Sequence, residues 1–253
     1  MDIDQIRVKT NFDILNLAAA ARRAELCAAL AKASNMKVLG GLFTGMTLSG
    51  ESTWHDGDLA PKILGCYEEE LIPAFTRAMD RMPPVVVNIG CAEGYYAVGL
   101  ARALPQARVF AHDTDANSRQ YCQRAAAANG VGARVVVDGL CTSDKLRSHL
   151  SGQGRALLVV DCEGAEMTLL DPAPVPELCD CDIIVECHDF LNRDITETLI
   201  RRFSGTHQVE KISEGPRDPN RFPVLRHMSS LDRWLAVNEG RPETMYWLAC
   251  WAN

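Results

Sequence analysis

The chain has no apolar stretch approaching the ~18–20 residues a membrane-spanning helix needs, no run of five basic residues, no C-x-x-C pair and no G-x-G-x-x-G. The first absence means that no membrane span is expected. The second, with 26 Lys and Arg against 33 Asp and Glu and a net charge of −7, disfavours a broad grip on a phosphate backbone, so no nucleic-acid partner is expected. The third argues against a zinc site, and no metal ligand is assigned on it. Ten cysteines are present, but only Cys179 and Cys181 lie close together, as C-x-C. Scattered thiols behave as small buried hydrophobes and imply a reducing setting. The acidic start, Met1-Asp2-Ile3-Asp4, lacks a signal-peptide pattern, so the expected location is the cytoplasm. Internal repeats and low-complexity segments are also missing.

An apolar fraction of 47% in 253 residues supports a sizeable core, as one large domain or one domain with a cap. Residues 11–34 are alanine-rich and helix-forming. Phe12, Leu15, Ala19, Leu26 and Leu30 recur at helical spacings, and this face could pack on the core, cover a site or pair two copies into a homodimer. Residues 36–60 are glycine-rich and irregular, with Trp54 and His55 as candidate ligand contacts. Pro61 fits a first helical turn, and the four-residue spacing of Tyr67, Leu71, Phe75 and Met79 predicts one helix over 62–82.

From Val85 onward, strands and helices alternate. Strands are expected at 85–89, 108–112, 134–137, 156–160 and 183–185, with helices at 97–104, 116–129, 145–150, 165–170 and 195–203. This alternation predicts a parallel, doubly wound α/β sheet with helices on both faces. The ending differs: strands at 206–212 and 244–251, separated by a loop over 213–222 and a short helix capped by Ser230, predict an antiparallel pair closing the sheet.

The hub is residues 85–96. A β-branched run enters a turn bracketed by Gly90 and Gly94, and a helix leaves it. Strand, glycine turn and helix N-terminus form a cradle for a nucleotide-type ligand. Its G-x-x-x-G spacing is not the dinucleotide fingerprint, and on its own it is also the turn of any α/β sheet. The strand ends strengthen it. Each expected parallel strand stops on polar residues: 90–93, Asp113, Asp138, Asp161 with Glu163, and Glu186 with His188. Ligands of open α/β sheets bind at that edge. Asp113 stands 23 positions after Gly90, where an acidic side chain can meet ribose hydroxyls; a helix N-cap is the competing reading.

The segments Asn88-Ile89-Gly90-Cys91-Ala92-Glu93-Gly94, Asp113, Asp138-Gly139 and Asp161-Cys162-Glu163-Gly164-Ala165-Glu166 together resemble class I S-adenosylmethionine (SAM)-dependent methyltransferases. The Asp161-x-Glu-Gly-x-Glu166 piece is similar to the FkbM-like branch, many members of which methylate hydroxyls of sugars or secondary metabolites. The resemblance covers roughly residues 85–189. It implies a Rossmann-like methyltransferase sheet at 84–253 behind an N-terminal helical extension or cap at 1–83. It also implies SAM as cofactor and a small-molecule acceptor. By that resemblance Gly90, Ala92 and Gly94 wrap the methionine part, Asp113 with Thr114 holds the ribose, and Asp138 with Gly139 meets the adenine; Asn88, Cys91, Glu93 and Asp161 complete the cofactor set. Two positions depart from the pattern. Ala92 stands where glycine is usual, and Asn88 where an acid is usual, so Glu93 or Asp161 would have to face the cofactor's ammonium.

His188 is the candidate base, since an imidazole titrates near neutral pH; a hydrogen-bonded structural histidine is the competing reading. Asp161 and Glu163 complete the catalytic set. Asp161, His188 and Asp189 also end neighbouring strands, where oxygen-rich ligands would suit Mg²⁺. Glu163 and Glu166 could equally support neighbours or cap a helix. Small-molecule O-methylation is the leading expectation. A nicotinamide-dependent oxidoreductase and a non-catalytic nucleoside-binding module are the alternatives. Methylation of nucleic-acid bases ranks low, because the N-P-P-[YF] tetrapeptide used for it is absent. Acceptor recognition is expected from residues 36–60 and 213–222.

Overall fold

The structure, a computed structural model, describes residues 10–49 and 58–253. Seven strands, β1 (Val85–Ile89), β2 (Arg108–His112), β3 (Val135–Asp138), β4 (Leu157–Val160), β5 (Asp182–Cys187), β6 (His207–Ser213) and β7 (Tyr246–Ala252), form one sheet in the order β3-β2-β1-β4-β5-β7-β6. β7 pairs antiparallel to both neighbours, and every other pairing is parallel. The doubly wound sheet and its closing antiparallel pair are as expected, with β7 inserted between β5 and β6.

The helices are α1 (Asn11–Ser34), α2 (Leu59–Leu64), α3 (Ile72–Asp80), α4 (Tyr95–Ala103), α5 (Ala116–Ala128), α6 (Ser143–Leu150), α7 (Glu166–Leu169), α8 (Ile195–Phe203) and α9 (Ser230–Ala236). Each face of the sheet carries its own apolar layer. Val86, Val109, Leu157 and Trp247 point to the layer shared with α3, α4 and the end of α1. Val85, Val87, Leu158 and Val185 point to the layer shared with α6 and α8. Burial on both faces is why β1, β4 and β5 read as unbroken apolar runs.

Two helical expectations need correction. The single helix over 62–82 is two: α2 stops at Gly65, in the left-handed conformation at φ 79°, and α3 starts at Ile72. A side chain at Gly65 would place its Cβ 1.9 Å from the Gly40 carbonyl oxygen, so the chain turns where only glycine fits. Tyr67 therefore leaves the helical stripe. The apolar face expected for α1 is used only in its second half: Leu26 and Leu30 are buried, whereas Phe12 and Leu15 are 66% and 63% exposed. Trp54 and His55 lie outside the described residues. All ten cysteines are free, eight of them buried. No helix among the described residues is long and apolar enough to cross a membrane.

Candidate active site

The strand order reverses at β1, which lies between β2 and β4; connections leave in opposite directions there and open a crevice at the carboxyl ends. A cavity of about 760 Å³ occupies this place, within the ~300–1,000 Å³ of small-molecule sites. On the side of β1, β2 and β3 it is lined by Gly90, Ala92, His112, Asp113, Thr114 and residues 140–143.

The turn after β1 is built by backbone constraint. Gly90 takes φ 77°, and a Cβ there would fall 1.5 Å from the Asp161 carbonyl oxygen, so this position accepts only glycine while the β1 and β4 ends stay in contact. Ala92 is also left-handed, at φ 45°, the conformation that favours the glycine usual there. Gly94 precedes α4 at φ 98° and supplies no side-chain cap, leaving the first N–H groups of the helix for an anionic group.

Asp113 is not a helix cap; Asp115 caps α5 by accepting from Ser118. One Asp113 oxygen accepts the Ala92 N–H at 2.9 Å and the other the Asp115 N–H at 2.8 Å. Each carboxylate oxygen can accept further hydrogen bonds, so the clamped group remains competent for a pair of hydroxyls. The Asp113 N–H donates to the Asp138 carbonyl at 3.2 Å, so both acids stand on one rim. Their side chains differ in use. Asp138 pairs with Lys145 at 2.6 Å and, like Gly139, is not among the cavity-lining residues; residues 140–143 line that wall instead.

Asn88, Cys91, Glu93 and Gly94 lie behind the lining. Asn88 is buried in β1, with its amide donating to the Val159 carbonyl at 3.3 Å. Glu93 pairs with the buried Lys62 of α2 at 2.6 Å. This commits the carboxylate to a protein ammonium and leaves Asp161 as the lining acid beside the turn. Burial depresses the Lys62 pKa, but the charges of Glu93 and Asp58 outweigh it and push it up to about 12.

The opposite end gathers Asp58, Lys62, Tyr67, Asp161, Glu163, Glu186, His188, Phe190, Glu239 and Arg241. His188 is 3% exposed. Its Nδ1 lies 2.6 Å from Glu166, and its Nε2 faces Asp161 and Glu163, each at 3.5 Å, and Glu186 at 3.9 Å. Burial lowers the His188 pKa, but the Glu166 hydrogen bond and the charges of Glu186, Glu166 and Glu163 together raise it above the usual value. The Asp161 surface that is exposed faces this cavity, and burial beside Glu68 and Glu163 pushes its pKa up to about 8. Burial and the charges of Asp161 and Glu68 push Glu186 well above the carboxylate range, against the pull of Arg241.

Arg241 ties this wall together, meeting Glu186 at 2.5 Å, Glu239 at 2.9 Å and Glu68 at 3.0 Å. Arg217 meets Glu239 at 2.6 Å and Glu70 at 2.7 Å. The acceptor-side wall is therefore made by residues 58–67 and 239–245 with the end of β5. Of the two regions expected to recognise the acceptor, 36–60 contributes Asp58 among its described residues and 213–222 contributes none; Arg217 supports the wall from behind.

The Mg²⁺ expectation meets a different donor set. Asp189 is turned away, accepting from the Thr196 N–H and hydroxyl at 3.0 and 2.6 Å. Asp161, Glu186 and His188 do bring donor atoms within 4.8 Å of one another. However, Glu186 is committed to Arg241 and the third donor is an imidazole, short of the oxygen-rich shell that Mg²⁺ takes. These residues fit Mg²⁺ poorly, and no step is assigned to it.

No protein-family model matches this chain, and no curated protein does. Among solved structures, the O-methyltransferase TomG from Streptomyces achromogenes, solved in complex with SAM, is 14% identical over 76% of this chain and 83% of its own, with a TM-score of 0.48. Precorrin-6y C5,15-methyltransferase from Geobacter metallireducens is 12% identical over 74% of this chain and 88% of its own, with a TM-score of 0.46. Human methyltransferase 10 domain containing protein aligns over 92% of this chain and 97% of its own at 10% identity, with a TM-score of 0.48.

Proposed function

We propose that this protein is a SAM-dependent methyltransferase that methylates a hydroxyl of a small acceptor such as a sugar or secondary metabolite. The observation that carries the reading is the arrangement along one rim. Asp113, clamped to the glycine turn through Ala92 at 2.9 Å, and His188, facing Asp161 at 3.5 Å, line opposite ends of one cavity.

The residues fit the cofactor. Asp113 has lone pairs left to accept ribose hydroxyls beyond its two backbone contacts, and residues 140–143 form part of the cavity wall. SAM, when bound, supplies an electrophilic methyl group on a cationic sulfur. Asp161, at the β4 end of the same cavity, is held largely protonated by burial beside Glu68 and Glu163, and a bound sulfonium would draw it toward its charged form. The protein's own work is to hold two reactants in line and to take a proton. His188 does the latter: with Nδ1 engaged by Glu166, Nε2 accepts the hydroxyl proton as the oxygen gains its methyl group. Tyr67 and Phe190 supply apolar walls for the acceptor. The Asp161-x-Glu-Gly-x-Glu166 turn supports placing the chain with the FkbM-like branch.

The test is incubation of the full chain with methyl-labelled SAM and a panel of polyols, glycosides and phenols. Label in an acceptor hydroxyl, lost in His188→Ala, is the expected result. Binding of SAM without transfer to any acceptor would favour a nucleoside-binding module. Affinity for NADH in place of SAM would favour an oxidoreductase.

A further inference from the structure

The proposed chemistry uses the first acid of the Asp161-Cys162-Glu163-Gly164-Ala165-Glu166 turn and leaves its last acid without a task. Glu166 is fully buried, at 0% exposure. Its Oε1 lies 2.6 Å from His188 Nδ1 and accepts the Gly164 N–H at 3.0 Å. The turn is shaped for this contact: Glu163 and Gly164 both take left-handed backbone, at φ 52° and 98°. The second oxygen, Oε2, has no hydrogen-bond partner.

We infer that Glu166 is the positioning residue of the base: it holds the proton of neutral His188 on Nδ1 and so keeps Nε2 free to face the acceptor. The reason is a competition across the ring. Nε2 looks toward Asp161, Glu163 and Glu186, and any of these acids, when ionised, would draw the single proton to Nε2. A ring in that state cannot accept a proton where the acceptor sits. The ring nitrogen that carries the proton is set by the partner of the other. The ionised Glu166 can only accept, and the hydrogen bond from His188 holds its pKa low despite burial. At 2.6 Å this contact is far shorter than the three opposing ones, so it decides the tautomer. Arg241, bound to Glu186, further weakens the opposing pull. The Phe190 ring, 5.7 Å from the imidazole and edge-on, packs beside it.

The kinetic consequence rests on the methyltransfer reading, whereas the tautomer is a property of the resting protein. The full chain is labelled with ¹⁵N-histidine, and long-range ¹H–¹⁵N spectra are recorded above the His188 titration, its signals assigned by their loss in His188→Gln. The wild-type ring is expected as the Nδ1–H tautomer, and finding the Nε2–H tautomer there overturns the assignment without any variant. Glu166→Leu is expected to move the proton to Nε2 and to lower kcat by about 100-fold or more, as loss of a tautomer-setting acid does elsewhere, with acceptor KM and cofactor Kd within about twofold. Glu166→Gln removes the charge that fixes the proton and can offer Nδ1 an amide N–H, so it is also expected to populate the Nε2–H tautomer and to lower kcat. An unchanged tautomer in Glu166→Leu, or a changed one with unchanged kcat, overturns the role. Wild-type protein with the expected tautomer but no methyl transfer would instead sink the proposed reaction.

Discussion

The ammonium of Lys62 meets the carboxylate of Glu93 at 2.6 Å, both side chains 9% exposed, so the helix preceding the sheet is fastened to the turn that opens the cavity. Lys62 also stands over the Tyr67 ring, 4.7 Å from its centre. The pair joins the acceptor-side wall to the cofactor-side turn. Removing one partner leaves the other charge buried. Glu93→Ala is expected to cost about 3–5 kcal/mol in urea denaturation, and Lys62→Met with Glu93→Leu to recover much of it. Equal loss in the single and double variants would contradict an ion pair as the fastening.

Ala92 holds a left-handed conformation that costs a residue with a Cβ about 1–2 kcal/mol. Glycine would relieve this but adds freedom to the unfolded chain, about 0.5–1 kcal/mol. Ala92→Gly is therefore expected to leave stability unchanged or raise it by up to about 1 kcal/mol, read from the denaturation midpoint. A loss above about 1 kcal/mol would contradict the strain.

His188 accepts a proton only when Nε2 is unprotonated, and its surroundings raise its pKa above 6.5. The ring is then still charged at a pH where an ordinary histidine is neutral. Methyl transfer is expected to rise with pH through a midpoint above 6.5. A rate independent of pH between 6 and 9, under conditions where chemistry limits turnover, would contradict this role.

At the other end of the cavity, His112 and His149 share a hydrogen bond between their Nε2 atoms at 3.0 Å, and His112 Nδ1 meets the Gly139 carbonyl at 3.0 Å. One shared proton suits two neutral rings; a second would set two N–H groups against each other. Burial and the neighbouring His112 lower the His149 pKa to about 4, against the charge of Asp138; Lys145 and Arg108 lower it further. The unfolded chain binds a proton near 6.5 and the folded one near 4, so stability is full above 6.5 and falls as pH drops toward 4. His149→Gln, which can still donate to His112, is expected to flatten that slope in thermal melts. The same slope in the variant would place the acid sensitivity elsewhere.

The sheet was readable because its information is local. Val85, Val86 and Val87, Leu157 to Val160, and Ile183 to Val185 are apolar on both faces and end in polar residues, a pattern few other structures produce. Asp113 was readable for the same reason, as the tip of the second strand. What escaped depends on distant parts of the chain. Arg241 reaches Glu68 and Glu186, a contact no local pattern announces, and residues 239–242 rather than the loop at 213–222 line the cavity there. Gly65 was visible, yet the spacing of Tyr67, Leu71, Phe75 and Met79 outweighed it until the Gly40 carbonyl showed why a turn must fall there. Asp138 and Glu93 carried the right charge in the right region, and only their partners, Lys145 and Lys62, reveal that they are occupied.

The central claim is that Asp113 and the Gly90–Gly94 turn form a nucleoside site for SAM, and calorimetric titration of S-adenosylhomocysteine into the wild-type chain and Asp113→Ala tests it most directly. A wild-type Kd in the micromolar range, weakened about tenfold or more by loss of the charged acceptor, is the predicted result. Absence of binding heat in the wild type, or equal affinity in the two proteins, would contradict it.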